Sequence, residues 1–287
     1  NNPSVALFIS RRFNMGFTVI EHEIRNIWAP VNFANSAKTI YEGSIVAFSI
    51  AIGQPDGEGL IAIAAAAGHD DTTTKAVPFG VVLAGNDAAP TYDSTYKGQK
   101  IVSCGTQALQ VARDFRGAEG MYAKGDPQVL AKVSVIGPGT VLKGPIFLAT
   151  YGVAPTVYTN TAASTDGLTI TTSAIANTPI TYNTTWYCRS GANRGLYRVS
   201  YSTSTTSHTF YIAWPYDIAV GDTFVPVFLR QGTCLAQFDA QSTFIEQQPS
   251  TGTHDYELDV LEINLEVAGS EYAIFKFNAD QFCAIRA

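Results

Sequence analysis

Near the end of this 287-residue chain, Leu261, Ile263, Leu265 and Val267 alternate with Glu262, Asn264 and Glu266. Period two is the repeat of a strand with one buried and one solvated face; a helix would repeat its apolar positions every three or four residues. Ala268-Gly269-Ser270 then supplies a turn into Tyr272–Phe277, so the two segments read as a β-hairpin. The same grammar, short apolar or β-branched segments closed by Gly and Pro, runs back through most of the chain. It leaves little room for helix.

Ser44–Ile52 is a near-continuous apolar run closed by the turn cluster Gly53-Gln54-Pro55-Asp56-Gly57. Val77–Leu83 carries Pro78 and Gly80, which suits an edge strand or a bend more than a central strand. Lys100–Cys104 and Gln128–Ile136 read as further strands, the second alternating Val129, Ala131, Val133 and Val135 with other residues. Gly137-Pro138-Gly139 and Gly144-Pro145 read as corners around a short strand, Thr140–Leu142, and Ala108–Phe115 as one short helix. Tyr151–Ala163, with Gly152 and Pro155, has the character of a linker, and 15 threonines among residues 156–209 favour pleated strands with polar outer faces. Leu168–Thr171, Ile180–Tyr182, Gly195–Tyr201 and Thr209–Trp214 are the strands expected there. The fold class that follows is all-β: two β-barrel or β-sandwich domains, at 41–150 and 166–287, joined by a linker at 151–165. An extended N-terminal arm, residues 1–40, precedes them.

That arm has no period of its own. Phe8, Phe13, Phe17, Trp28 and Phe33 are mixed with Arg11, Arg12 and Arg25, and Pro3 and Pro30 interrupt it. Aromatic and arginine side chains are the types enriched at interface hot spots, so Phe8, Arg11, Arg12, Phe13, Phe17, Arg25 and Trp28 are the expected interface residues. The alternative is that the segment packs on its own domain as an irregular strand.

Charge and cysteine usage narrow the function classes. Residues 1–155 carry 12 Lys/Arg against 12 Asp/Glu, and residues 156–287 carry 6 against 12, so the whole net charge of −6 sits in the second half. An acidic chain lacks the clustered cations that nucleic-acid binding needs. No apolar stretch approaches the roughly 20 residues of a membrane helix, and the N-terminus has no basic, apolar leader. The chain begins at Asn1 without an initiator Met, which points to trimming. Cys104, Cys188, Cys234 and Cys283 form no C-x-x-C pair, so buried free thiols are expected, as in a reducing cytoplasm.

The chemical motifs fail in turn, and neither a cofactor nor a metal is expected. Gly137 to Gly144 superficially suggests a phosphate loop, but Lys143 precedes Gly144 instead of following a Gly and preceding Ser/Thr. His69-Asp70-Asp71 are consecutive and point different ways, beside Gly68 and Thr72–Thr74, which is the look of a solvated loop. Asp255, Glu257 and Asp259 share one strand face at about 6–7 Å spacing, near the carboxylate separation of inverting glycosidases. Acids on a polar face stay ionised, however, and a solvated face is the reading preferred. Trp186-Tyr187 and Trp214-Pro215-Tyr216 are either sugar-stacking platforms or core residues, core being the commoner fate. Asn183-Thr184-Thr185 matches a glycosylation sequon by pattern alone. No enzymatic activity is expected.

Several stretches carry a resemblance. Tyr41-Glu42-Gly43-Ser44-Ile45-Val46 followed by Val77-Pro78-Phe79-Gly80-Val81-Val82 resembles the small β-barrel of tailed-bacteriophage head decoration proteins, where a Gly starts a strand and a Pro-x-Gly-Val segment returns across the barrel. Gly195-Leu196-Tyr197-Arg198, the run Pro215 to Phe224, and Ala279-Asp280-Gln281-Phe282-Cys283 are similar to C-terminal parts of tailed-phage structural proteins. The resemblance covers about half of the chain. It implies a cement protein on the outer surface of an icosahedral phage head, assembled in the host cytoplasm. Its partners would be the major capsid protein and copies of itself, trimers before dimers, with neither nucleic acid nor membrane involved. The rival expectation is a receptor- or carbohydrate-binding head-fibre or tail-fibre protein, which requires Trp186, Trp214 and Tyr216 to be exposed together.

Overall fold

The computed structural model describes residues 16–21, 26–30, 40–49, 59–63, 77–85, 91–93, 99–103, 130–148, 153–174, 184–239, 242–246 and 256–282. The fold is all-β. In chain order the first ten strands are β1 (Thr18–Glu21), β2 (Asn26–Pro30), β3 (Ile40–Tyr41), β4 (Ile45–Ser49), β5 (Gly59–Ala62), β6 (Gly80–Gly85), β7 (Thr91–Asp93), β8 (Gln99–Ser103), β9 (Leu130–Val135) and β10 (Val141–Phe147). The next ten are β11 (Tyr158–Thr159), β12 (Thr169–Thr171), β13 (Thr185–Cys188), β14 (Tyr197–Thr203), β15 (Ser207–Phe210), β16 (Thr223–Val227), β17 (Gly232–Phe238), β18 (Ile245–Glu246), β19 (Tyr256–Asn264) and β20 (Tyr272–Phe277). A 3-10 turn, Ala279–Phe282, follows. The strand expected at Ile180–Tyr182 and the helix at Ala108–Phe115 lie outside the described residues.

Strands β10, β18, β17, β19 and β20 hydrogen-bond in that order, and β20 pairs back to β10, which closes a barrel. Aromatic and aliphatic side chains together build the barrel core. Phe238 lies 5.6 Å from Tyr256, 6.3 Å from Phe275 and 5.9 Å from Phe277, centroid to centroid. The first pair is edge to face and the other two are tilted, and aromatic pairs at such distances contribute about 0.5–1.5 kcal/mol each beyond area burial. A six-stranded antiparallel sheet, β11-β16-β13-β14-β15-β12, packs one face on the barrel through Tyr187, Val225 and Val227. Its other face covers a second core of Trp186, Cys188, Phe210, Trp214 and Phe224. A five-stranded sheet, β2-β9-β6-β4-β5, is likewise two-faced: Ile45, Ala47 and Val81 join the barrel core, while Val46, Val82 and Val133 build a third. Its ends β2 and β5 come back into contact, so the sheet curls. Strands β3, β8 and β7 form a small separate sheet.

Several elements differ from the sequence reading, each for a physical reason. Strand β6 is not at an edge but lies between β9 and β4. Pro78 precedes it, where no ladder bond is lost, and Gly80 admits the neighbouring strand, since a Cβ there would lie 2.2 Å from Val133 Cγ1. Strand β10 runs straight through Gly144-Pro145, which form no corner. Pro145 falls where the neighbour on that edge changes from β1, paired up to Lys143, to β18, paired from Ile146. In β19 the strict alternation over 261–267 breaks. The register shifts between Val260 and Glu262, so Leu261 is an inserted residue, 46% exposed, while Ile263 and Leu265 are buried. Val267 stands exposed in the turn that follows.

Residues 158–164, within the stretch 151–165 read as a linker, are knitted into the six-stranded sheet. Strand β11 pairs with β16, and the buried Asn160 donates from Nδ2 to the carbonyls of Ala162 and Ala219 while its Oδ1 accepts the Thr171 N–H. Strand β10, from the first expected domain, is a barrel strand among strands of the second.

Candidate functional site

The N-terminal segment, expected as an interface arm over residues 1–40, divides in two. Phe8, Arg11, Arg12, Phe13 and Arg25 lie outside the described residues. Phe17 and Trp28 are described, and they behave oppositely.

Phe17 is 4% exposed and sits in the barrel core, 5.4 Å from Phe238 and 5.8 Å from Phe275, edge to face with both. This corrects its expected place at an outer interface: its ring is satisfied within its own chain. Two glycine contacts make the seat possible. At Gly144 a Cβ would fall 2.0 Å from the Phe17 ring, so only a glycine leaves room for it. At Gly16, φ is +107° and a Cβ would meet Gly43 Cα at 2.7 Å. That approach lets the Phe17 N–H donate to the Gly43 carbonyl. Strand β1 then continues along β10, pairing Thr18 with Lys143 and Val19 with Leu142.

Trp28 is 52% exposed. It lies on β2, the edge strand of the curled sheet, directly opposite Lys132 of β9, which is in turn opposite Ala84 of β6. Leu83, inserted at a bulge between Val82 and Ala84, is also exposed. A tryptophan left half in water on a sheet face, with an aliphatic residue two strands away, is an apolar surface of the kind partners cover.

The other candidate residues carry no chemistry together. Glu257 and Asp259 do share the outer face of β19, where Asp259 accepts a hydrogen bond from the Thr233 hydroxyl. Asp255 and the His69-Asp70-Asp71 group lie outside the described residues. Trp186 is wholly buried and Trp214 is 3% exposed, leaving Tyr216 alone at the surface. The stacking platform expected from these three is therefore not assembled, because the two indoles form the second core. The Cys188 thiol is buried, donates to the Ser190 carbonyl, and is pushed up to about 12 by burial, so it is no nucleophile at neutral pH. Cys188 and Cys234 are both free thiols. His208 is enclosed against Trp186, its Nε2 within 3.2 Å of Thr172 Oγ1, and burial lowers its pKa to about 4.

A groove that the sequence did not point to lies at the seam between the six-stranded sheet and the barrel. Its volume is about 510 Å³. One wall is the barrel-facing surface of the sheet, with Thr185 on β13 and Tyr197 and Val199 on β14; Tyr211 and Ile212 form its rim. The opposite wall comes from the end of β19 and the chain beside it, with Glu262, Asn264, Glu266 and Gln231. Tyr211 and Ile212 are 60% and 66% exposed, and the Tyr211 ring lies tilted against Tyr201, 5.3 Å between centroids. The seam is held from below. Arg189 donates to the Leu265 carbonyl and pairs with Glu271, a carboxylate whose side chain is wholly buried. The Leu265 N–H donates to the Tyr197 hydroxyl, whose pKa is raised chiefly by burial. The only advance signal for this groove was that Glu262 and Glu266 occupy the polar positions of a period-two strand.

No family model matches the chain, and no curated protein and no solved structure matches it.

Proposed function

We propose that the chain is a structural virion protein that binds the outside of an icosahedral phage head and stabilises it by bridging major capsid protein subunits. In this reading it works by covering a surface, as a homo-oligomer with trimers before dimers, and catalyses nothing. The observation that carries it is the split of the N-terminal segment: Phe17 is rooted in the barrel, while Trp28 on the same segment is presented to solvent at a sheet edge. The residues before Gly16 bring Phe8, Arg11, Arg12 and Phe13 to the same end of the chain. A protein so built gains affinity from the assembled shell, where several copies of the partner surface are held at fixed spacing.

The pairing of two stretches that carry the resemblance supports the reading. Gly43, with φ of +86°, ends a tight turn in which the Tyr41 N–H donates to Ser44 Oγ. Strand β4 then pairs with the Pro-x-Gly-Val segment, Ile45 opposite Val81 and Val46 opposite Gly80. Downstream, Asn193, two residues before Gly195, is tied reciprocally to Tyr216 in the Pro215–Phe224 run, donating to its carbonyl and accepting its N–H.

The test is occupancy on purified heads. Removing residues 1–15, or Trp28→Ser, is expected to lower the bound copies sharply while the urea midpoint of the free protein stays unchanged. Full occupancy with both changes would overturn the reading. The deletion has to stop before Phe17, because removing that ring empties part of the barrel core and confounds binding with unfolding.

A further inference from the structure

We propose that the groove between the six-stranded sheet and the barrel is a saccharide-binding site for a neutral pyranose unit. The argument starts from its two unlike walls. Tyr211 offers an exposed ring, supported by Tyr201 and extended by Ile212, and such a surface suits the apolar C–H face of a sugar ring. Opposite it stand two carboxylates and two amides, Glu262, Glu266, Asn264 and Gln231. Planar acceptors and donors at that density suit vicinal hydroxyls, each of which both donates and accepts.

Charge decides against anionic ligands. The cation in the groove, Arg198, is already committed: Nε donates to the Ala213 carbonyl, one terminal nitrogen to the Tyr197 carbonyl, and the guanidinium lies 5.6 Å from the Trp214 ring. Two of its three nitrogens are thus engaged, and Glu262 and Glu266 repel a phosphate or carboxylate. Glu262 accepts from the Tyr272 hydroxyl at 3.2 Å, which orients it and leaves further lone pairs for a ligand.

An independent observation points the same way. Thr185, which lines the groove, is 6% exposed, and its hydroxyl has no hydrogen-bond partner among the described residues. Thr185 shares its β13 face with Tyr187 and lies opposite Val199, so it is on the groove side of the sheet. The oxygen is itself closed to solvent, and an ordered water behind the groove wall, bridging it to a ligand hydroxyl, recovers the cost of leaving it unpartnered. The inference stands whether or not the chain sits on a capsid.

The experiment uses the full chain with a panel of gluco-, galacto-, manno- and N-acetylhexosamine disaccharides, followed by saturation-transfer NMR and calorimetry. Spermidine and inorganic phosphate serve as cationic and anionic probes. At least one disaccharide is expected to bind with Kd of about 1 mM. Tyr211→Ala should weaken it at least about tenfold, and Thr185→Val should weaken it without lowering the urea midpoint. Absence of saturation transfer across the whole panel would overturn the proposal. So would binding unaffected by Tyr211→Ala, or preferential binding of spermidine or phosphate.

Discussion

Phe17 and Gly144 form a lock whose energetics can be worked out from the contacts. Phe17→Ala removes a ring wedged between Phe238 and Phe275, and truncating a buried Phe costs about 3–5 kcal/mol. That is a large part of the roughly 5–15 kcal/mol by which domains are stable. Gly144→Ala attacks the same contact from the other side. Gly144 has no left-handed backbone to strain, so its added methyl acts only by displacing the Phe17 ring, which it would meet at 2.0 Å. Overpacking of this kind costs about 1–3 kcal/mol. In the double variant the methyl occupies space the ring has vacated, so its cost should fall to about zero, an interaction energy of about 2 kcal/mol. Equilibrium urea unfolding of the four proteins, followed by the fluorescence of the buried Trp186 and Trp214, measures this cycle. If the two single costs add to within about 0.5 kcal/mol, Phe17 and Gly144 do not touch and the seat of the N-terminal segment is wrong.

Other consequences follow from buried polar groups. His208 is neutral in the fold with a pKa near 4 against an unfolded value of 6.5, so below pH 6.5 the unfolded chain takes up the extra proton. Its contribution is complete above pH 6.5 and lost as pH falls towards 4, by at most about 3 kcal/mol, and His208→Phe should flatten the stability–pH slope in that window. Arg189→Met leaves the Glu271 carboxylate buried and unpaired, at an expected cost of about 3–5 kcal/mol, whereas Arg189→Met with Glu271→Leu should recover much of it in thermal unfolding. Cys188 should resist alkylation by iodoacetamide at pH 8 in the native protein and react only in denaturant, as mass spectrometry of the labelled protein would show.

The parts of the fold legible in the sequence were those set by neighbours along the chain. Tyr272–Phe277 is a strand with its predicted bounds, and Gly269, at φ +77°, makes the turn before it. Local pattern could not reveal an inserted residue, so the bulge that expels Leu261 was invisible, as was the continuation of β10 through Gly144-Pro145. The same limit hid the fate of the aromatics. Phe17 reads as an unpaired arm residue because Phe238 and Phe275 are far along the chain, and Trp186 and Trp214 are core only because distant strands bring Phe210 and Phe224 against them. The groove was the least legible feature. Its walls, Tyr211 and Glu262, come together only through the packing of the sheet against the barrel.

The proposal that this chain coats a shell makes a definite prediction for copy number. Quantitative mass spectrometry of purified particles would give the number of chains relative to the major capsid protein. A coat protein should be present in a fixed ratio comparable to that of the capsid subunit. A handful of copies per particle, or none, would contradict the proposal.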